Sequence, residues 1–132
     1  MQQNPPDSPP GALLLVDDEP AILDLLTRVF DVAGYRCFCA QNGAEALEVF
    51  RQKHAEIAVI FTDIHMPVLD GFALVRAARE IVPEVKIVIS SGSLGEAEMR
   101  IAADLQVSAF LPKPYTPSQL VSCIRSLWVP GQ

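Results

Sequence analysis

The chain has 132 residues, half of them apolar and 20% charged, which suits one domain with a buried core. Its formal charge is −6 and its ten Lys and Arg residues are scattered, which argues against direct nucleic-acid contact and against binding at an anionic membrane surface. No run reaches the roughly 18 apolar residues of a membrane span, the start "MQQNPPDSPPG" lacks the basic and apolar regions of a signal peptide, and Cys37, Cys39 and Cys123 suggest neither a disulfide framework nor a metal cluster, so a cytoplasmic location is expected.

Residues 1–11 carry four prolines and read as an unstructured or extended lead-in. "ALLLV" (Ala12 to Val16) is a short apolar run bounded by charge, the pattern of a buried strand. Ile22, Leu25, Leu26, Val29, Phe30 and Ala33 then recur at helical spacing, with Pro20 fit for the first turn and Gly34 for the end. "YRCFCA" reads as a second strand, on which Cys37 and Cys39 share a face as small buried thiols. Asn42 and Glu45 form a reciprocal capping pair opening a helix through Leu47 and Phe50.

"IAVIFT" reads as the third strand. A helix from about Asp70 buries Leu74, Val75, Ala78 and Ile81 and stops before Pro83. "KIVIS" is the fourth strand, and a helix with a thin apolar stripe covers about 94–105. "SAFLP" is the fifth strand, and Thr116 caps a last helix with Pro117 in its first position and Leu120, Val121, Ile124 and Leu127 inward. Residues 12–129 are therefore read as one domain and 130–132 as a tail. Continuous apolar strands alternating with five helices imply an α/β fold, a parallel sheet covered on both faces. With right-handed crossovers, the expected architecture is doubly wound and flavodoxin-like, in strand order 2-1-3-4-5.

Ligands of such sheets bind outside the carboxyl ends of the strands, where the strand order reverses. Those ends carry Asp17, Asp18 and Glu19 after strand one and Asp63 after strand three. Ser90, Ser91 and Gly92 end strand four, and Lys113 follows strand five. Carboxylates brought so close repel one another unless a cation lies between them. Oxygen ligands without histidine side chains or thiolates suit Mg²⁺ rather than zinc, so Asp17, Asp18 and Asp63 imply a magnesium site. The acidic "DDEP" loop repels a flavin phosphate, and no G-x-G-x-x-G follows a strand to receive a dinucleotide. An aspartate oxygen is a competent nucleophile toward phosphorus. Mg²⁺ would neutralise the acids, Lys113 would pair with a phosphoryl oxygen, and a serine hydroxyl would hydrogen-bond another. Asp63 would then be the acceptor of a phosphoryl group in a domain that assists its own modification.

The segments "LLLVDDEP", "IFTDIHMPVLDG", "IVISSG" and "FLPKP", in this order and spacing, resemble the receiver domains of two-component response regulators, the CheY-like group. The resemblance covers roughly residues 12–128. It implies that Asp63 is the phosphoacceptor, that Asp17 and Asp18 hold Mg²⁺ with Asp18 the direct ligand, and that the main-chain carbonyl of His65 is a further ligand. It implies that Lys113 is the catalytic lysine, joined to Pro114 by a cis bond, and that Ser91 is the switch hydroxyl. A one-residue slip would exchange Ser90 and Ser91, and the glycine that follows favours Ser91. Phe110 matches the aromatic that swings inward with the hydroxyl, and Pro67 and Gly71 match the loop framing the acceptor. His65 and Ser93, two residues beyond Asp63 and Ser91, can flank an attacking water and are expected to tune phosphoryl lifetime.

The function this implies is a signalling phosphoacceptor rather than an enzyme. Its partners are a sensor histidine kinase or a phosphotransfer protein, with an effector or a second copy meeting the face of the fourth helix, fifth strand and fifth helix. Two other readings stand beside it. An aspartate-based phosphohydrolase resembling the haloacid dehalogenases wants an acid where His65 stands. A pseudo-receiver would use the fold without phosphorylation, against which the intact acids and Lys113 argue.

Overall fold

The structure, a computed structural model, describes residues 11–127; the expectations for residues 1–10 and for the 130–132 tail lie outside them. Strands and helices alternate strictly: β1 (Ala12–Val16), α1 (Pro20–Val32), β2 (Arg36–Ala40), α2 (Gly43–Lys53), β3 (Ile57–Asp63), α3 (Gly71–Ile81), β4 (Lys86–Ser91), α4 (Glu96–Asp104), β5 (Ala109–Pro112) and α5 (Pro117–Leu127). All neighbouring strands pair in parallel, in the expected order β2-β1-β3-β4-β5. Among the described residues no helix is long and apolar enough to cross a membrane.

The two-faced core explains the unbroken apolar runs. Leu13 and Leu15 of β1, Val59 and Phe61 of β3 and Val88 of β4 pack against Leu23, Leu26 and Phe30 of α1 and Leu120 and Ile124 of α5. Leu14, Val16, Ile60, Ile87 and Ile89 face the other way, onto Ala46 and Phe50 of α2 and Leu74, Val75 and Ala78 of α3. Successive strand side chains point to opposite faces, so a strand covered twice must be apolar at every position.

The caps follow the sequence closely. Asn42 Oδ1 accepts from Glu45 N–H at 2.8 Å, and Glu45 reaches back to Gln41 N–H at 2.7 Å, one residue before the position expected of a capping box. Asp70 caps α3 through Ala73 N–H at 2.9 Å. Thr116 and Gln119 cap α5 reciprocally, at 3.1 and 2.8 Å.

Several details depart from expectation. Leu25 is 45% exposed, because the buried stripe of α1 is centred on Leu23, Leu26 and Phe30 and Leu25 falls on its flank. Cys39 is exposed and Cys37 half-buried, since β2 is an edge strand that α1 covers only in part. Ile81 is half-buried. Asp63 is the last residue of β3 rather than the first beyond it. Helix α4 begins at Glu96 instead of 94, because Gly95 is its N-cap and Glu98 Oε1 accepts from Gly95 N–H at 3.0 Å. Of its residues only Ala102 is buried. Its far end is held by Arg79 of α3, whose guanidinium donates to Val85 O at 3.0 Å, Leu105 O at 2.8 Å and Gln106 O at 3.1 Å.

Candidate functional site

Sheet register assembles the site. Val16 lies beside Thr62, so Asp17 and Asp63, each one residue on, leave adjacent strand ends together. Asp63 lies beside Ser90, and Ser91 beside Pro112, the residue before Lys113. Main-chain bonds hold these ends in place: Ile64 N–H donates to Ser90 O at 3.3 Å and Lys113 N–H to Ser91 O at 3.0 Å. Gly71 closes the loop behind the acceptor by donating its N–H to Ile64 O at 2.9 Å. A Cβ at Gly71 would stand 2.5 Å from Asp63 O, so a larger residue there would push directly on the acceptor's backbone.

Asp17 and Asp63 are almost fully buried, while Asp18 is exposed at the rim. Oxygens of all three carboxylates lie within 4.8 Å of one another. Lys113 Nζ sits between the two buried acids, 3.0 Å from Asp17 Oδ2 and 3.3 Å from Asp63 Oδ2. The remaining carboxylate oxygens accept main-chain N–H groups, Asp17 Oδ1 from Glu19 at 2.9 Å and Asp63 Oδ1 from His65 at 3.3 Å. Lys113 and Pro114 are joined by a cis peptide, as the resemblance implied.

Burial pushes the Asp17 carboxyl above its ordinary value of 3.8; Glu19 N–H and Lys113 pull it down, and the Asp63 charge pushes it further up. Burial alone would lower the Lys113 ammonium, but its bonds and charges shared with Asp17 and Asp63 prevail and its pKa is raised. One lysine thus offsets part of the charge of three acids, and an oxygen-rich cluster with surplus negative charge fits a hard divalent cation. Asp17, Asp18 and Asp63 could hold such an ion together. Tyr115, against Phe61 beneath the site, has its phenol pushed up to about 12, chiefly by burial.

The other expected residues fall as follows. Ser91 Oγ donates to Ser93 O at 2.8 Å and accepts from Ser93 N–H at 3.1 Å. Ser90, its neighbour, is buried with no hydrogen-bond partner for its hydroxyl among the described residues. Phe110, on edge strand β5, is 36% exposed and so lies outward rather than inward. The His65 ring meets Ser93 O at 3.4 Å and Glu98 Oε2 at 3.3 Å. Glu98 was not singled out from sequence. Gly95 and Glu98 carry a capping signal, but nothing local connects Glu98 with a loop more than thirty residues earlier.

Residues 13–125 match the model of the response regulator receiver domain family. The sensor kinase CckA of Brucella abortus is 33% identical over 118 residues, which cover 89% of this chain and 12% of the kinase. The probable transcriptional regulator ycf27 of Pyropia yezoensis is 36% identical over 117 residues, covering 87% of this chain and 46% of the regulator. The chain thus spans less than half the length of either relative. Among solved structures, chemotaxis protein CheY4 of Vibrio cholerae superposes with a TM-score of 0.82 at 26% identity, covering 88% of this chain and 97% of CheY4.

Proposed function

This chain belongs to the receiver-domain family of response regulators, the phosphoacceptor domains of two-component signalling, and we propose that Asp63 is its phosphoacceptor. The observation that carries this is the buried Asp17–Lys113–Asp63 bridge at the ends of β1, β3 and β5. It presents one carboxylate in a pocket of fixed charge beside a second acid and a cation.

An Asp63 oxygen would attack phosphorus in line. The new P–O bond forms as the P–N bond to the donor's phosphohistidine breaks; its electron pair goes to that nitrogen, and the imidazole leaves neutral, with the proton on its other ring nitrogen. Lys113 donates toward a phosphoryl oxygen, and its two aspartate contacts hold it ready. The Ser91 hydroxyl would donate to a second oxygen. Asp17, Asp18, Asp63 and the His65 carbonyl are the residues that would hold Mg²⁺, and the bound ion would neutralise the carboxylates and draw charge from the phosphoryl group. The same groups would assist hydrolysis of the acyl phosphate.

Partners follow from the reading: a sensor histidine kinase or phosphotransfer protein as donor, in the cytoplasm. An effector or a second copy would meet the α4–β5–α5 face, where Phe110 lies exposed and would turn inward once Ser91 moves.

Acetyl phosphate with Mg²⁺, followed by intact mass, tests the assignment. The expected result is addition of one phosphoryl group, absent in Asp63→Asn and in EDTA. A mass gain that survives Asp63→Asn would place the acceptor elsewhere.

A further inference from the structure

The loop between β3 and α3 and the loop between β4 and α4 meet beside the acidic site through polar contacts. His65 Nε2 lies 3.3 Å from Glu98 Oε2 and 3.4 Å from Ser93 O. Both neighbours are acceptors, so Nε2 carries the proton and shares it between them. The same Ser93 carbonyl accepts the Ser91 hydroxyl at 2.8 Å. Glu98 uses its other oxygen, Oε1, to accept from Gly95 N–H at 3.0 Å. One carboxylate therefore ties the start of α4 to the loop after Asp63, and one carbonyl ties that contact to Ser91.

We propose that Glu98 is a positioning residue: through His65 and the Ser93 carbonyl it latches the β4–α4 loop in the state that keeps the Ser91 hydroxyl turned away from Asp63. The inference rests on the reading of Asp63 as phosphoacceptor and names what restrains its switch. A serine hydroxyl has one proton to donate. While Ser91 donates to Ser93 O it cannot donate to a phosphoryl oxygen, so recruitment must break that bond. Ser91 Oγ is bonded to both the N–H and the carbonyl of Ser93, and the His65 contact to that carbonyl holds Ser93 within reach of it. The His65–Glu98 pair is partly exposed, at 56% and 30% of its side-chain surfaces. Contacts of that kind shift a two-state population by about two- to fivefold.

Glu98→Gln separates the latch from the helix cap. Its amide oxygen can still accept from Gly95 N–H, while its amide nitrogen meets the His65 Nε2–H donor to donor. Beryllofluoride binding in excess Mg²⁺, followed by calorimetry, should tighten about two- to fivefold in Glu98→Gln. The lost negative charge alone could favour an anion, so the pair is repeated in His65→Ala, which keeps its main-chain carbonyl. In that background the gain should shrink to the effect of charge, and an equal gain in both backgrounds overturns the proposal. Amide exchange of the ligand-free protein supplies an independent readout: residues 92–95 should exchange faster in Glu98→Gln while α5 is unchanged, and unaltered loop exchange also overturns the latch. If the wild type fails to bind beryllofluoride, the phosphoacceptor reading falls, while the exchange comparison still judges the latch.

Discussion

Ser90 and Ser91 are adjacent, chemically identical and placed in opposite environments. By register and strand alternation Ser90 shares the Asp63 face of the sheet. It is 1% exposed and its hydroxyl has no partner among the described residues, whereas Ser91 is bonded twice to the loop that follows. A buried unpaired hydroxyl costs stability, so Ser90→Ala should leave the fold unchanged or stabilise it by up to about 1 kcal/mol and preserve labelling by acetyl phosphate. Ser91→Ala should slow labelling by about tenfold or more, the worth of a hydrogen bond to a charged group. Labelling rates and thermal melts of the two variants check both, and reversed effects would move the switch to Ser90. The sequence left this pair open, because spacing alone does not report which hydroxyl is bonded to the loop. Cys39 is exposed for a related reason: alternation places it on a face, but does not report how far α1 extends over that face.

Helix α4 illustrates what a local pattern omits. Its thin apolar stripe was visible, and it yields a single buried residue, Ala102. Its start is set by Gly95 and Glu98 rather than by Leu94. Its far end depends on Arg79, which joins three carbonyls, that of Val85 and those of the consecutive Leu105 and Gln106, 26 and 27 residues away. Arg79→Ala should remove three charge-assisted hydrogen bonds and destabilise the protein by about 1–3 kcal/mol. Denaturant melts with amide exchange would show the loss, with faster exchange concentrated at the end of α4. Arg79→Lys should recover only part of it, since one ammonium cannot reproduce the planar fork. Helices α1, α2, α3 and α5, by contrast, carry apolar stripes and side-chain or proline signals at their starts, and those starts are legible within one or two residues.

The charges couple the whole fold to pH and to metal. Asp17 is raised above 3.8 in the folded state mainly by burial, so the stability linked to it is fully present below pH 3.8 and is lost as pH rises through its folded value. Lys113 is raised above 10.5 because the bonds and charges of Asp17 and Asp63 outweigh burial, so its contribution persists below pH 10.5 and is lost as pH rises through its own folded value. Mg²⁺ would bind ionised acids. Its stabilisation should therefore shrink as pH falls through the folded value of Asp17 and grow toward neutrality, reaching about 1.4 kcal/mol at tenfold excess over Kd. Melting curves with Mg²⁺ and with EDTA across that range measure it. Asp17→Asn should weaken the shift near neutrality while Asp18 and Asp63 still offer oxygens, and a wild-type shift that stays constant into acid would refute the link.

The sequence by itself determined the strand and helix order, the two-faced sheet and the acids, serines and lysine at the strand ends. Those features follow from apolar periodicity, caps and the geometric rule that places sites at the carboxyl ends of strands. Tertiary structure decided what each side chain does with its polar atoms. Lys113 bridging Asp17 and Asp63 and the His65–Glu98 contact are pairings between residues far apart in the chain, and the burial of Ser90 and exposure of Phe110 depend on what the fold packs over them. A hydrogen bond forms within about 3 Å of space whatever the distance along the chain, and a one-dimensional pattern carries little record of it.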